Sequence, residues 1–333
     1  MCGICGYMSR NLIRSELLTQ MNDTMFHRGP DDCGIWEQQK EEFGVGFAQR
    51  RLAILDLSEL GHQPMISEDG RIAVTYNGEV YNYIELRDEL KEKGHKFNSN
   101  CDTEVIIAAY QEWGCECFCR FNGMFAIAVY DEKEESIILA RDRMGKKPLY
   151  YYVKGTDFVF GSELKPIMKY PYFYKDINYD LIGHYMCNKY IVAPYTIFHN
   201  TYKMEPGTYL IYHKGEMQIH RYWDLIDIRS HTDRNITDLA QAKQQLQDLL
   251  RDSVSKRLIA DVPVGTFLSG GIDSTLITAV AQEVSYAPID SFTIGFYDDE
   301  RNEAPYAAQI AKHIGTNHHE LYMKEEQILE MIH

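Results

Sequence analysis

The chain begins Met1-Cys2-Gly3-Ile4-Cys5-Gly6, and the cysteine at the second position is its most informative residue. Removal of the initiator methionine would make Cys2 the N-terminal residue, with a free α-amine beside its own thiol. Because the reference pKa of an α-amine is about 7.7–8.0, this amine can activate the sulfur without a histidine. The same residues are compatible with a small buried thiol near an ordinary chain start. The rest of the chain must decide between a nucleophile and a packed side chain.

Composition limits the classes of function. The 333 residues are 45% apolar and carry a formal net charge of −15. No run of about 18 uncharged apolar residues is present, which predicts no membrane span, and no basic segment precedes an apolar one as in a secretory signal. The eight cysteines are therefore interpreted as reduced thiols in the cytoplasm. The acidic balance argues against nucleic-acid binding and favours small-molecule substrates.

Hydrophobic patterning predicts two domains. The first is α+β, with alternating runs separated by Gly, Asp and Lys turns and two helices ended by glycine. The predicted strands are Val45–Leu55, Arg71–Tyr76, Met124–Tyr130, Ser136–Ala140, Leu149–Val153 and Asp157–Phe160, and the helices are Tyr83–Lys93 and Thr103–Trp113. The polar stretch Arg229–Arg234 is interpreted as a linker.

After the linker the pattern changes to alternating helices and strands. A helix is predicted from Asp238 to Leu258, with an apolar stripe at Leu239, Ala242, Leu246, Leu249, Leu250 and Val254. The elements that follow are Val264–Leu268, Ser274–Val284, Ser291–Phe296, Glu303–Ile314 and Glu320–Met323. Alternation of this kind predicts a parallel, doubly wound sheet.

A glycine-rich loop lies where the first of these strands meets its helix. It reads Leu268-Ser269-Gly270-Gly271-Ile272-Asp273-Ser274-Thr275. Consecutive glycines let backbone N–H groups approach an anion, and the helix N-terminus adds partial positive charge. The spacing fits neither a Walker A loop nor the dinucleotide fingerprint. It is similar to the pyrophosphate loop of enzymes that split ATP into AMP and pyrophosphate, although a Ser or Asp helix cap would give part of the same pattern.

Together, the N-terminal Cys-Gly-Ile and the pyrophosphate loop resemble the glutamine-hydrolysing asparagine synthetases over essentially the whole chain. Further stretches carry the resemblance: His27–Asp31, Arg51–Asp56, Tyr76–Asn82, Cys101–Glu104, Asn122–Ala126, Arg141-Asp142, Lys147–Tyr151, Ser291–Phe296 and Asn317–Glu320. The resemblance implies an N-terminal-nucleophile sandwich of αββα layers over residues 2–228. It implies a doubly wound α/β sheet of the ATP-pyrophosphatase type, the N-terminal part of a synthetase domain, over residues 236–333.

The resemblance also assigns a glutamine site. Cys2 is the expected nucleophile, and Asn77 with Gly78 is expected to form the oxyanion hole, although Asn-Gly is also a common hairpin turn. Arg51 is expected to hold the α-carboxylate and Asp102 the α-ammonium, with Asp102 also suited to cap the following helix. Glu79 is expected to contact the substrate. Ammonia is then expected to pass between the domains through an apolar passage.

In the second domain the resemblance implies bound ATP and Mg²⁺. The expected ATP-binding residues are Leu268, Ser269, Gly270, Gly271, Asp273, Ser274 and Ile294. Asp273 is the expected magnesium ligand, and the backbone of Ile294 is expected to contact adenine. Aspartate would be adenylated and then amidated to asparagine.

Alternatives remain at this point. Only three strands of the second sheet are predicted, so the chain is expected to be a fragment that retains glutaminase activity alone, with a naturally short protein as the alternative. An ammonia-donating or nucleotide-sensing subunit acting with a partner chain on another acceptor is a second hypothesis. Amidotransferases that act on sugar phosphates are disfavoured because they would not need the pyrophosphate loop. A homodimer is an open expectation.

Overall fold

Two six-stranded antiparallel sheets form the first of the two units into which the chain divides, Met1–Thr232 and Asp233–His333. A computed structural model describes residues 2–11, 16–230, 236–297 and 302–331. Met1 and residues 231–234 of the predicted linker lie outside the described residues. In this unit the strands are β1 (Gly3–Ser9), β2 (Asp32–Gln39), β3 (Gly44–Arg51), β4 (Met65–Ile66), β5 (Ile72–Val80), β6 (Gly123–Asp131), β7 (Ser136–Arg141), β8 (Tyr150–Lys154), β9 (Asp157–Gly161), β10 (Thr201–Lys203), β11 (Thr208–His213) and β12 (Glu216–Arg221).

The order of strands is β10-β8-β9-β1-β3-β2 in one sheet and β12-β11-β7-β6-β5-β4 in the other. Every strand alternates its side chains between two faces, and the faces turned toward each other bury one apolar core. That core includes Ile4, Phe47, Ala73, Ala126, Leu139, Phe158, Phe160 and Tyr212. The sequence did not predict β1 or β2, because Gly-rich and polar positions interrupt their alternation.

Helices pack on the outer faces of both sheets. The helices of this unit are α1 (Glu16–Asp23), α2 (Tyr83–Glu92), α3 (Asp102–Trp113), α4 (Cys117–Arg120), α5 (Leu164–Ile167), α6 (Asp180–Asn188) and α7 (Leu225–Ser230). Helices α1 and α5 pack on the first sheet, and α3, with α2 beside it, packs on the second. The result is an αββα sandwich of the N-terminal-nucleophile type, as predicted.

The second unit contains a parallel sheet, as its alternating pattern predicts. Its elements are α8 (Leu239–Arg257), β13 (Gly265–Phe267), α9 (Ile272–Val284), β14 (Asp290–Phe296), α10 (Ala304–Ile314), β15 (Asn317–Met323) and α11 (Glu325–Glu330), with strand order β13-β14-β15. Asp238 caps α8 by accepting from the N–H groups of Ala240 at 2.7 Å and Gln241 at 3.0 Å. The predicted apolar stripe of α8 is buried at Val254, whereas Leu239 is 69% exposed.

Among the described residues, no helix combines the length and the apolar character needed to cross a membrane.

Candidate active site

The start of β1 places Cys2 beside the end of β3. Gly3 pairs with Arg50 in the antiparallel register, so Cys2 lies next to the residues that follow β3. The Leu52 N–H donates to the Cys2 sulfur at 3.4 Å, and the thiol donates to the Leu52 carbonyl at 3.6 Å. Backbone atoms from a distant part of the sequence therefore hold the sulfur at the edge of the sandwich.

Strand parity turns three predicted site residues toward the same space. Each of them lies an even number of positions along the chain from a residue of the core between the sheets. The pairs are Cys2 with Ile4, Arg51 with Phe47, and Asn77 with Ala73. Because alternate side chains of a strand share a face, the three side chains extend that inner face to the edge of the sandwich.

A cavity of about 230 Å³ opens at this edge. Its lining includes all six residues predicted for the glutamine site and one that was not assigned a role. They are Cys2, Arg51, Asn77, Gly78, Glu79 and Asp102, together with Lys147. The structure thus brings together side chains from strands, loops and a helix that are separated by more than a hundred positions in the sequence.

Asn77 is 1% exposed, and neither Oδ1 nor Nδ2 has a hydrogen-bond partner among the described residues. Burial of an amide without partners costs about 1–3 kcal/mol, so such a group is rare in a folded protein. Asn77 lies inside β5, paired with Ala126 of β6. The alternative interpretation of Asn77-Gly78 as a hairpin turn is therefore wrong, because the strand continues to Val80.

The backbone N–H of Gly78 faces the cavity side of β5. In this strand the N–H of Tyr76 donates to Gln63 Oε1 at 2.7 Å, and that of Val80 donates to Asp102 Oδ2 at 3.0 Å. Successive N–H groups of a strand point in opposite directions, so Gly78, midway between them, points the same way. A Cβ on Gly78 would lie 2.1 Å from the Met124 carbonyl oxygen, so only glycine fits.

Arg51 is 7% exposed and its guanidinium is held by a loop. Nη1 donates to the Ser58 carbonyl at 3.3 Å, and Nη2 donates to the carbonyls of Leu55 at 3.1 Å and Asp56 at 2.5 Å. A Cβ on Gly61 would lie 2.0 Å from Nη2, which explains the glycine there. The sequence predicted a substrate ligand, and the structure adds a second task, which is to shape residues 55–58.

Asp102 begins α3 and lies beneath the cavity, 5% exposed. Its Oδ2 accepts from the Tyr76 hydroxyl at 2.9 Å and from the Val80 N–H. Burial raises the pKa of the Asp102 carboxyl, and these two donors oppose that rise. The predicted N-cap position is corrected by one residue, because Cys101 precedes the helix and Asp102 is its first residue.

Two residues at the site were given no role by the sequence interpretation. Lys147 lines the cavity and is 5% exposed. Arg28 donates from Nε to the Cys2 carbonyl at 2.9 Å and from Nη1 to Glu163 Oε1 at 3.1 Å, which fixes the backbone of Cys2. Both residues belong to stretches that carried the family resemblance, His27–Asp31 and Lys147–Tyr151, so the signal was present without a role attached.

Burial raises the pKa of the Cys2 thiol. The Leu52 N–H and the positive charges of Lys147 and Arg51 act in the opposite direction. Burial also raises the pKa of the Cys5 thiol well above its usual value, as expected for a packed thiol. Cys2 differs from Cys5 because a hydrogen-bond donor and nearby positive charges act on it.

In the second unit the glycine-rich loop joins β13 to α9 through hydrogen bonds of its own side chains. Ser269 and Ser274 share a hydroxyl hydrogen bond of 2.9 Å, and the Gly271 N–H donates to Ser269 Oγ at 3.2 Å. Gly271 is the residue that precedes α9, with extended backbone. The loop therefore presents the N-terminus of a 13-residue helix at the carboxyl end of a parallel strand, the usual place for a phosphate.

The remaining predicted ATP residues lie around this loop. Leu268 is buried, and its N–H donates to the Phe292 carbonyl at 2.9 Å. Ile294 lies two residues beyond Phe292 on β14, past the end of β13 in the register, and is 50% exposed. Asp273 is exposed in the first turn of α9. Within the described ranges no group of three or more His, Cys, Asp or Glu residues could hold a metal ion.

Comparison with known proteins agrees with this architecture. Residues 1–223 match the glutamine amidotransferase domain family, and residues 245–333 match the asparagine synthase family. The chain is 38% identical to putative asparagine synthetase (glutamine-hydrolyzing) 2 of Methanocaldococcus jannaschii, over 100% of this chain and 67% of that protein. It is 33% identical to asparagine synthetase (glutamine-hydrolyzing) 3 of Bacillus subtilis, over 99% of this chain and 55% of that protein.

The chain therefore belongs to the glutamine-hydrolysing asparagine synthetase family, and it spans between 55% and 67% of the length of these two relatives. Among solved structures, the allosteric regulatory enzyme of purine biosynthesis is similar with a TM-score of 0.51 and 16% identity, over 96% of this chain and 80% of that one. That likeness concerns the fold alone.

Proposed function

We propose that this chain carries the glutaminase site and the pyrophosphate-loop part of a glutamine-dependent asparagine synthetase. The domains are residues 2–228 for glutamine hydrolysis and residues 236–333 for nucleotide binding. The observation that carries the proposal is the buried amide of Asn77, which lacks partners within the described residues and lies in the same cavity as the Cys2 thiol. A buried amide that the surrounding residues leave without partners is explained by a ligand that needs it.

The cavity matches the chemical groups of glutamine. Arg51 uses three of the five guanidinium N–H groups on loop carbonyls, and the remaining two, one on Nε and one on Nη1, can each donate to an α-carboxylate oxygen. Asp102 and Glu79 supply negative charge for the α-ammonium. The side-chain amide of glutamine then lies toward Cys2, between Asn77 and Gly78.

The reaction needs a nucleophile, a base and an oxyanion hole. After loss of Met1, the α-amine of Cys2 takes the thiol proton, and the sulfur attacks the amide carbon of glutamine. The Asn77 Nδ2 and the Gly78 N–H donate to the oxygen as it becomes negative. The amine returns its proton to the departing nitrogen, which leaves as ammonia. Water then hydrolyses the γ-glutamyl thioester to glutamate and regenerates the thiol.

The second domain supplies the activation step. The phosphates of ATP lie on the loop from Ser269 to Ser274 at the N-terminus of α9, and adenine lies near the backbone of Ile294. A single carboxylate beside phosphates fits Mg²⁺, which usually takes one or two carboxylates and completes its shell with phosphate and water, so Asp273 would hold it. Bound Mg²⁺ would neutralise phosphate charge. The β-carboxylate of aspartate attacks the α-phosphate and releases pyrophosphate to form an acyl adenylate, and ammonia then displaces AMP to give asparagine.

The eight cysteines are free thiols in the structure, which suits a reducing compartment. On that ground we also propose a cytoplasmic location. We retain a homodimer as a proposal to be tested by the mass of the particle in solution.

The decisive experiment measures glutamate release from glutamine by the wild-type chain, Cys2→Ala and Cys33→Ala. Intact mass reports whether Met1 has been removed. Cys2→Ala should abolish glutamate release and leave MgATP affinity unchanged, because the thiol acts only in the first domain. Cys33→Ala removes an exposed thiol and should behave as wild type. Residual turnover of Cys2→Ala within about tenfold of wild type would contradict the assignment.

A further inference from the structure

Lys147 is a buried lysine in the glutaminase cavity that has no role in the scheme above. It is 5% exposed and lines the same cavity as Cys2, Asn77 and Glu79. Burial of an ammonium is costly, and lysine is seldom found buried without a reason. The position therefore calls for a chemical explanation.

The chain builds a rigid turn to deliver this side chain. The buried carboxylate of Asp142 accepts from four backbone N–H groups of the turn and its neighbour strand: Phe125 at 3.1 Å, Met144 at 3.1 Å, Lys146 at 2.9 Å and Lys147 at 3.0 Å. The guanidinium of Arg141 donates to three carbonyls: Lys147 at 2.8 Å, Gly145 at 2.7 Å and Met204 at 2.5 Å. The Arg141-Asp142 pair thus fixes the backbone from which Lys147 projects.

The charges around Lys147 point to Cys2. Burial lowers the pKa of Lys147, whereas Glu79 and Cys2 act to raise it. Arg28 and Asp142 also act on Lys147, in opposite directions. A cation kept in this cavity is stabilised by negative charge there, including that of a Cys2 thiolate.

The reciprocal effect concerns the sulfur. The groups that lower the pKa of the Cys2 thiol are the Leu52 N–H, the positive charge of the chain N-terminus, and the cations Lys147 and Arg51. Further ionisable groups that line the cavity are Glu79, Tyr76 and Asp102, and Arg28 reaches the Cys2 carbonyl from outside it. Arg51 also donates to loop carbonyls and so has a structural role. We therefore assign the effect on the sulfur to Lys147.

We propose that Lys147 is a further functional residue of the glutaminase site, whose ammonium stabilises the Cys2 thiolate relative to the thiol. The inference rests on the proposed function of Cys2 as the nucleophile. It complements the α-amine, because the amine accepts the proton and the ammonium of Lys147 favours the anion that remains. Lys147 acts through Cys2, so its effect should appear in the ionisation of the sulfur as well as in turnover.

The test measures the rate of Cys2 alkylation by iodoacetamide between about pH 6 and pH 10, read by mass spectrometry of the N-terminal peptide. Lys147→Met should move the midpoint upward by about half to one pH unit, because loss of a positive charge from the same partly buried cavity disfavours the thiolate. Alkylation at pH 7 should then fall about three- to tenfold, as should kcat/KM for glutamine. Lys147→Arg keeps the charge and should restore most of the wild-type profile.

The neighbouring Lys146 supplies the matched control. It is exposed, so Lys146→Met removes the same charge next to the turn and should leave the profile unchanged. An unchanged midpoint in Lys147→Met, or an equal shift in Lys146→Met, would overturn the inference. Lys147→Gln, which keeps a polar side chain, serves in the same assay if the methionine variant folds poorly.

Failure of the proposed function would look different. A wild-type chain that is alkylated at Cys2 yet releases no glutamate would remove the glutaminase assignment. The alkylation profiles would still decide whether Lys147 controls the ionisation of the sulfur, because they require no turnover.

Discussion

The side chain of Asn77 occupies a position that does not favour the stability of the fold. Its amide is buried, and the described residues offer it no partner, so the fold itself does not compensate for the desolvation of this group. Asn22 is a useful contrast, because it is 2% exposed and its Nδ2 donates to the Gln49 carbonyl at 3.0 Å, although its Oδ1 also lacks a partner among the described residues. Asn22 therefore makes one structural hydrogen bond with its side chain, whereas the amide of Asn77 makes none within the described residues.

Asn77→Ala should lower kcat for glutamine hydrolysis by about a hundredfold, because a donor aimed at the oxyanion acts mainly in the transition state. The KM should change much less. The melting temperature of Asn77→Ala should not fall below that of wild type, since no hydrogen bond is lost. Steady-state kinetics and thermal melts measure the two quantities.

Asn22→Ala is the control for that prediction. It should lower the melting temperature and leave kcat within about twofold of wild type, since it removes a buried hydrogen bond of a residue that does not line the cavity at Cys2. A higher KM with an unchanged kcat for Asn77→Ala would mean that the oxyanion and substrate-binding roles have been exchanged.

The loop between β3 and β4 depends on Arg51 for its shape. Three of its carbonyls accept from that guanidinium, and the Asn100 N–H donates to Asp56 Oδ2 at 2.9 Å. The Asp56 backbone is left-handed, with φ of 51°, which costs energy for a residue with a side chain. The arginine fork and the neighbouring loop together hold this conformation beside the cavity.

Arg51→Lys should raise the KM for glutamine about tenfold with a smaller change in kcat, because an ammonium keeps the charge and loses the fork. The same variant should also make residues 53–58 easier to cleave by a protease. Arg50→Lys is the control, because Arg50 pairs with Asp23 outside the cavity. Equal effects of both substitutions on KM would remove Arg51 from the glutamine site.

Asp102, the first residue of α3, makes the stability of the fold depend on pH. Burial raises the pKa of the Asp102 carboxyl in the folded chain above its usual value of 3.8. A carboxyl with a raised pKa binds its proton more tightly when folded, so its stabilising contribution is complete below about pH 3.8 and is lost as pH rises through the folded pKa. Ionised Asp102 therefore weakens the fold near neutrality while it supplies the charge that an α-ammonium needs.

Asp102→Asn should therefore gain stability relative to wild type as pH rises from about 4 to 7, by a few degrees in melting temperature. It should raise the KM for glutamine at least about tenfold at pH 7, since the negative charge is gone. Melts of both proteins at constant ionic strength measure the first effect. A difference in melting temperature that is independent of pH would contradict the ionisation of Asp102 in the folded protein.

The whole chain contains two units with separate tasks. The cavity at Cys2 is built by residues of the first unit, and the loop at Ser269–Ser274 is built by the second. Substitutions in one should leave the binding step of the other intact.

Gly271→Asp provides that test. Gly271 has φ of −79° and precedes α9, where aspartate is a favoured cap, so the fold should survive. The carboxylate should repel ATP phosphates and raise the Kd for MgATP at least about tenfold, with glutamate release unchanged. Ala287→Asp adds the same charge beyond the opposite end of α9 and should not change the Kd. Equal loss of affinity in both variants would mean that the loop is not the phosphate site.

Local patterning was sufficient for much of the fold. The helices α2, α3 and α8, the strands β5 to β9, and the alternation of β13, α9, β14, α10 and β15 follow from periodicity, glycine stops and caps, which act within a few residues. The first strand was missed, because Cys2–Gly6 carries two glycines and little alternation. Its place in the middle of a sheet depends on pairing with β3 and β9, and that pairing is not a local property.

The residues of the glutaminase cavity were predicted from motifs, yet their relation to one another was decided by tertiary structure. Whether Asn77-Gly78 is a turn or a strand depends on β6 lying beside it, and the lack of partners for its amide depends on which atoms the fold brings near. Lys147 could not be assigned because its burial results from a turn held by Asp142, far from Cys2 in sequence. Local chemistry set the candidate nucleophile and the phosphate loop, whereas long-range packing decided which charges surround the nucleophile, since electrostatic influence depends on distance and burial in space.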